Sequence, residues 1–488
     1  MNMPEDQTKK KVREIDATPE SRNIFNSLAR GGYSLPGAVE EYIDNAIDQA
    51  SHQNTHDREI KVKTSAVSQQ NPVCSIEIED DCGGCKIDDA VRFIKPGMSG
   101  NVPAAGNIST FGIGGKAAGL AVSSKVKVTS RFPGENEWRV ILDKLEISNK
   151  KDWKFQVEEI EGSDFEEGHT VVTLYLEPDK VRDFTNFGYD IQKSIKKRYS
   201  AFLAKKVRLY LNDVRVETGN PYGEILSSPF APQGCEPIEV QKNFRIPYMS
   251  LMSNGGVTEI SIKTTVGLHW EASNTQEFGT NIYCNGRLLI EHDKTGLNNA
   301  KGAPGTDVVW LRSTVEITGL PEAMPWNNRK DALDHSSPAF SKLEEFLSNT
   351  YEKYLNNLAE AKQGFKDRTG KRSSYGGKDL IAENFANLIK MHNNDSVFFP
   401  DYLKKTQAFR DAEELSKKDK HRGRSGDPSI THLAADVETD KVERIRRKIR
   451  ELSFEDNVKN VDIVRELVDH YLRCVVTPRK SENGTNEA

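Results

Sequence analysis

The chain has 488 residues, of which 36% are hydrophobic and 29% charged, and its formal net charge is −5. That balance excludes a disordered chain, leaves room for two or three domains, and requires any nucleic-acid contact to come from a local basic patch. No run approaches the ~18 apolar residues of a membrane span, and the start MNMPEDQTKKKVREID has no apolar stretch behind it, so an intracellular protein is expected, cytoplasmic or, in a eukaryote, nuclear.

After a polar stretch to about residue 20, NIFNSLARGGYSLPGAVEEYIDNAIDQASH has helical periodicity, with Val39, Tyr42, Ile43, Ala46 and Ile47 at helix spacing. The runs EIKVKTSAV and VCSIEIED alternate as strands do, and a glycine-rich segment at 97–119 follows. Further strands are expected at KVKVTSR, WRVILD and HTVVTLYLE, then a helix around 190–204 and a strand at VRLYLND. Gly, Pro and Ser cluster in GNPYGEILSSPFAPQGCEP and mark a boundary, which sets a first domain at 1–220. Strand patterns in EISIKTTVGLHW, NIYCNGRLLIEH and DVVWLRSTVEI, closed by the helical FSKLEEFLSNTYEKYLNNLAEAK, set a second domain at 221–365. The polar stretches GKRSSYGGKD and KKDKHRGRSGDPS indicate a linker with short helices over 366–428, and a charged helical segment occupies 429–488.

The six cysteines, at 74, 82, 85, 235, 284 and 474, are too sparse for a disulfide framework. Cys82-Gly-Gly-Cys85 has C-x-x-C spacing, but a zinc site needs a second ligand pair and no other close Cys/Cys or Cys/His pair occurs. Small residues in a glycine turn explain the motif equally.

Three segments carry the chemistry. In Glu41-Tyr-Ile-Asp44-Asn45-Ala-Ile-Asp48, the positions i, i+3, i+4 and i+7 share a helix side, so Glu41, Asp44, Asn45 and Asp48 form one polar stripe. A solvated face of an amphipathic helix would look the same. In Ile78-Glu79-Asp80-Asp81-Cys82-Gly83-Gly84-Cys85 a strand ends in carboxylates, which can accept from an exocyclic amine, beside glycines that permit close backbone approach. In Phe111-Gly112-Ile113-Gly114-Gly115-Lys116-Ala117-Ala118-Gly119, glycines before a helix bare backbone N–H groups and a lysine adds positive charge, so phosphate is the natural ligand. The Walker loop fails here, with Thr110 in place of its glycine and Ala117 in place of Ser or Thr. Gly112, Gly114 and Ala117 match a dinucleotide fingerprint formally, but KVKVTSRFPG follows where an acidic residue should stand.

Together, E-x-x-D-N-A-x-D, D-D-C-G-G-C and F-G-I-G-G-K-A resemble the ordered motifs of the GHKL ATPases, the superfamily of gyrase B subunits, heat-shock chaperones, histidine kinases and MutL. Gly168-His169-Thr170-Val-Val-Thr-Leu is similar to that family's threonine-bearing strand, with His169 in place of the usual glycine, and the match in order and spacing covers about residues 20–180. The resemblance implies an α+β protein with a Bergerat-type α/β sandwich, a transducer-like α+β domain and a helical C-terminal region. It implies ATP and Mg²⁺ as ligands. Asn45 would hold the metal, and Glu41 would orient or deprotonate the attacking water. Asp80 would bind the adenine amine with help from Thr170, Asp81 being the alternative if the turn aligns differently. Gly84 would give the ring room, and Gly112, Gly114, Gly115 and Lys116 would form a lid over the phosphates. Cys85 stands where the family usually has Ile or Met.

No histidine precedes His52, which argues against a histidine kinase, and no further catalytic machinery of a topoisomerase or nicking MutL is evident. The segment 281–331, NIYCNGRLLIEHDKTG and then VVWLRSTVEITGLPEAMPWNNRKDAL, resembles the transducer-like domain of the microrchidia (MORC) ATPases. There a basic residue reaches the γ-phosphate, for which Arg329 and Lys330 are both candidates, although a surface loop with two bases is an ordinary feature. The resemblance implies a homodimeric clamp closed by ATP, with DNA as its partner. Basic clusters at Lys417, Lys418, Lys420, Arg422 and Arg424, and at Arg444, Arg446, Arg447, Lys448 and Arg450, could neutralise phosphates. Glu443, Glu451 and Glu455 intersperse the second cluster, which also fits a solvated helix. A chaperone-like or scaffold ATPase acting on a protein partner, and a pseudo-ATPase that only binds nucleotide, are the competing readings.

Overall fold

A computed structural model describes residues 18–420, apart from segments at 53–57, 66–73, 99–103, 110–111, 178, 181–183, 204–206, 218–224, 249–255, 271–277, 298–306, 371–376 and 392–398. Nearly all the described residues fall in one compact unit, 1–417. The expected charged helical segment 429–488 lies outside the described residues, as do Phe111 and all of the basic clusters past residue 420.

Two helices open the fold, α1 (Ser21–Ala29) and α2 (Leu35–His52). Strands β1 (Arg58–Ser65) and β2 (Ser75–Asp80) follow, then α3 (Val91–Ile94), α4 (Gly114–Val122), β3 (Ser123–Ser130), β4 (Glu137–Asp143), α5 (Lys144–Ser148), β5 (Val157–Ile160) and β6 (Thr170–Leu176). The helical pattern near 190–204 forms α6 (Phe184–Arg198) and α7 (Ser200–Leu203), after which come β7 (Val207–Leu211) and β8 (Val214–Arg215). These strands form a sheet in the order β5-β4-β3-β6-β2-β1-β7-β8, antiparallel except where β7 lies parallel to β1. The parallel pair needs a long crossover, and α6 lies within it.

Alternation dictates the sheet faces. Ile60 and Val62 of β1, and Ile76 and Ile78 of β2, are buried, while Lys61 and Lys63 face Glu79 and Glu77 across the ladder on the other side. Helix α2 lays Val39, Ile43, Ala46, Ile47 and Ala50 into the core. Burial of each large apolar side chain contributes about 1.5–3 kcal/mol.

The second sheet is built from β9 (Ile238–Tyr248), β10 (Gly256–Leu268), β11 (Gly279–Cys284), β12 (Arg287–Asp293) and β13 (Leu311–Thr318), in the order β12-β11-β13-β10-β9. Helix α8 (Pro338–Thr369) packs on β9 and β10, with Phe346 edge-on to Phe244 at 5.9 Å between ring centres. Ser337 caps its start by accepting from Ala339 N at 3.2 Å, and Gly370 ends it in the left-handed conformation at φ 69°. Where short helices in a linker were expected, α9 (Lys378–Met391), α10 (Asp401–Lys404) and α11 (Gln407–Lys420) bury Ile381, Phe385, Leu403 and Phe409. Among the described residues, no helix is long and apolar enough to cross a membrane.

Candidate functional site

A cavity of about 830 Å³ opens between α2, α4 and the face of the large sheet, and the loop after β13 forms its far wall. Glu41, Asn45, Asp80, Gly84, Gly112, Gly114, Gly115, Lys116, Thr170 and Lys330 all line it. Of the two basic candidates, Arg329 stands apart. Its guanidinium reaches Gly32 O at 3.2 Å and Asp331 at 3.2 Å, away from the cavity lining.

The polar stripe of α2 is not a solvated face. Glu41, Asp44 and Asp48 are 3%, 0% and 1% exposed, whereas Asn45 is exposed towards the cavity. Three carboxylates are buried on one helix because each has a partner. Lys330 Nζ donates to Glu41 Oε2 at 3.1 Å and to Asp44 Oδ2 at 2.8 Å. Arg287, from the start of β12, donates through Nε to Asp44 Oδ1 at 3.0 Å and through Nη2 to Glu40 Oε2 at 3.3 Å. The Tyr199 hydroxyl donates to Asp44 Oδ1 at 2.7 Å. Asp48 accepts from Ile108 N at 2.8 Å and Ser109 N at 2.6 Å, which ties the segment before the glycine lid to α2.

The charges divide unequally. Burial works against ionisation of Asp44, but Arg287 and Lys330 overcome it and hold that carboxyl below its ordinary value. Burial wins at Glu41, which is held above the ordinary glutamate value although Lys330 is beside it. One oxygen of Glu41 is therefore gripped by Lys330. The other, Oε1, is buried and has no hydrogen-bond partner among the described residues.

At the sheet end of the cavity, Asp80 of β2 sits directly across the ladder from Thr170 of β6. Asp80 Oδ1 accepts from Cys82 N at 3.0 Å, and burial pushes its carboxyl up to about 6. Asp81 turns away from the cavity and accepts from Glu59 N at 2.8 Å. Thr170 Oγ1 shares a 2.9 Å hydrogen bond with Ser130 Oγ, which also accepts from Cys85 N at 2.9 Å. The tight geometry of Gly84 has its own cause: at φ 65°, a Cβ there would lie 2.1 Å from Arg131 O. This glycine is required by the backbone behind it, not only by the space in front. The Cys82 and Cys85 thiols are both pushed up by burial, Cys85 to about 12, so neither is a ready thiolate. Among the described residues no group of three His, Cys, Asp or Glu side chains could hold a metal.

The glycines of the lid phrase are in close contact with α2. A Cβ on Gly114 would fall 2.0 Å from Glu41 Oε2, and one on Gly115 3.1 Å from Asn45 Nδ2. Tyr42 OH donates to Gly115 O at 2.7 Å. Lys116 Nζ donates to Gly112 O at 2.5 Å and Met98 O at 3.2 Å, and burial lowers its pKa to about 8. A half-desolvated cation in the first turn of α4, beside bare helical N–H groups, forms a site that favours an anion.

The sequence offered no sign of Arg287, Tyr199, Glu40, Ser109 or Ser130 as members of this site. Arg287 and Asp44 are 243 residues apart, and no local spacing announces such a pair.

No curated protein matches the chain. Residues 33–171 match the family model for the histidine kinase-, DNA gyrase B- and HSP90-like ATPases, a span that includes every cavity residue named above except Lys330, and the match supports a GHKL-type ATPase domain over those residues.

Proposed function

We infer that the protein binds and hydrolyses ATP with magnesium, and that ATP binding closes two copies into a clamp that acts on DNA. The observation that carries the hydrolytic reading is the divided state of Glu41. Its Oε2 is held by Lys330, while its Oε1 is buried and unpartnered among the described residues, on a side chain that belongs to the cavity lining. A carboxylate with one oxygen fixed, one oxygen free and a raised proton affinity suits a group that orients a water and takes its proton. Lys330 keeps the carboxylate in place and offers its charge to a terminal phosphate.

The other residues fit the same ligand. Asn45 Oδ1 accepts from Ser109 Oγ at 2.9 Å and retains a lone pair for a cation. A single amide oxygen with no carboxylate cage suits magnesium, which takes one or two protein ligands and completes its shell with phosphate and water oxygens. When bound, the ion offsets the charge of the phosphates. Asp80 accepts the adenine amine, supported by Thr170, while Gly112, Gly114, Gly115 and Lys116 surround the phosphates. Gly114 has no room for a side chain and Gly115 only a tight space beside Asn45, so the backbone itself meets the ligand there.

The clamp and its DNA partner rest on the resemblance of 281–331 to the microrchidia transducer and on the basic clusters near and beyond residue 417. A γ-phosphate that draws Lys330 towards it biases the second sheet, and removal of that phosphate releases the bias.

The reading is tested by phosphate release from the full chain against Glu41→Ala. Loss of turnover with retained ATP binding supports it. Equal turnover removes Glu41 as the base. Light scattering with a non-hydrolysable analogue, with and without DNA, then reports dimerisation. A chain that stays monomeric under all conditions rules out the clamp.

A further inference from the structure

The turn between β11 and β12 belongs to the second sheet, yet polar side chains on both sides of it reach into the ATPase layer. Asn285 and Gly286 form it with φ values of 49° and 83°, the two left-handed residues of an Asn-Gly hairpin turn. Asn285 is 5% exposed and Arg287 is 2% exposed, so neither is a surface group.

Each side chain is committed to a different part of the cavity. Asn285 Nδ2 donates to Asn107 O at 2.7 Å and to Gly319 O at 3.0 Å, and its Oδ1 accepts from Gly319 N at 3.0 Å. Two residues past Asn107, Ser109 donates to Asn45. Arg287 Nη1 donates to the carbonyl of Lys330 at 2.7 Å, while its other nitrogens hold Asp44 and Glu40. Lys330 itself adopts φ 53°, a left-handed conformation that is strained for a non-glycine residue and persists only where neighbours enforce it. Arg287 thus grips the backbone of Lys330 while Asp44, itself held by Arg287, grips the ammonium. A guanidinium suits this task because its planar fork binds three partners at fixed angles, which an ammonium cannot reproduce.

We propose that Arg287 and Asn285 are positioning residues for this site: Arg287 sets where Lys330 stands, and Asn285, together with Asp48 on the Ile108 and Ser109 amides, sets where Ser109 meets Asn45. The proposal rests on the reading of the cavity as a magnesium-triphosphate site. It predicts that the hairpin turn is felt through the γ-phosphate at Lys330 and through magnesium at Asn45, and not through the adenine end of the cavity.

The test uses the full chain as Arg287→Lys, which keeps the charge, and Asn285→Gly, which keeps the left-handed turn. Calorimetry with ADP and with a non-hydrolysable triphosphate is run beside turnover and melting temperature. In a chelator, where Asn45 holds no ion, both variants should bind ADP within about twofold of the parent, while in magnesium the preference for triphosphate over ADP and the kcat each fall about tenfold or more, with KM little changed. Because Arg287 works through Lys330, Arg287→Lys should cause no further loss in a Lys330→Ala background. Equal preference in parent and variants, or an Arg287→Lys loss that adds fully to that of Lys330→Ala, overturns the positioning role alone. So does a parallel fall of ADP affinity, triphosphate affinity and Tm, which marks a merely structural residue. A parent chain that binds neither nucleotide overturns the reading of the cavity and this proposal with it. If Arg287→Lys does not fold, Asn285→Gly decides.

Discussion

Lys330 and Glu41 are 289 residues apart in the chain and 3.1 Å apart in the fold. The contact joins the loop after β13 to the helix that carries the polar stripe, and both side chains are nearly closed to solvent. A lysine in that position is stable as a cation: burial opposes its charge, but Asp44 and Glu41 together more than compensate.

The two neighbouring bases should therefore behave differently. Lys330→Ala leaves Glu41 and Asp44 facing each other with Arg287 as their remaining buried cation, and breaking such a pair costs about 3–5 kcal/mol. Urea denaturation should show that loss, and turnover should fall with it. Arg329 is half-exposed and serves Gly32 and Asp331, so Arg329→Ala should keep turnover within about twofold. Equal damage from both substitutions would contradict the assignment.

The glycines give a second contrast. At Gly114 an alanine methyl collides with Glu41 Oε2, and at Gly84 it collides with the Arg131 carbonyl. Gly84→Ala adds left-handed strain to a backbone clash, so a stability loss of about 1–3 kcal/mol is expected by thermal or chemical denaturation. Gly114→Ala displaces a side-chain carboxylate instead, and turnover should fall more steeply than stability. A Gly114→Ala protein with the parent's kcat would separate Glu41 from the reaction.

Asp80 predicts a pH dependence. Burial raises its carboxyl to about 6, so the carboxylate that accepts an amine is present above that value and is lost as pH falls through it. If the ionised form alone binds, the adenine nucleotide should bind about tenfold more weakly at about pH 5 than at pH 7, measured by calorimetry. Affinity that is flat across this range would place the adenine contact elsewhere.

What the sequence could disclose followed from local spacing. The stripe on α2, the acidic turn and the glycine phrase are each written within a few residues, and the cavity gathers all three. Most strands of both sheets were legible for the same reason, since alternation in KVKVTSR or EISIKTTVGLHW is a local signal, whereas the short edge strands β5 and β8 were not among the expected runs. The burial of the stripe was not legible. Whether Glu41, Asp44 and Asp48 meet water or protein is decided by Lys330, Arg287 and the Ile108 and Ser109 amides, which arrive from other parts of the chain. The choice between Arg329 and Lys330 is likewise a matter of which adjacent side chain the turn at 327–330 points inward. The Asn327 carbonyl accepting from Lys330 N closes that turn.

Whether the cavity holds a magnesium triphosphate is read by a calorimetric titration of the full chain with a non-hydrolysable ATP analogue, in magnesium and then in a chelator. One analogue should bind per chain in magnesium, with much weaker binding in chelator and the same weak binding for Asn45→Ala in either buffer. Magnesium-independent binding that is identical in the parent and Asn45→Ala would contradict a magnesium-triphosphate site.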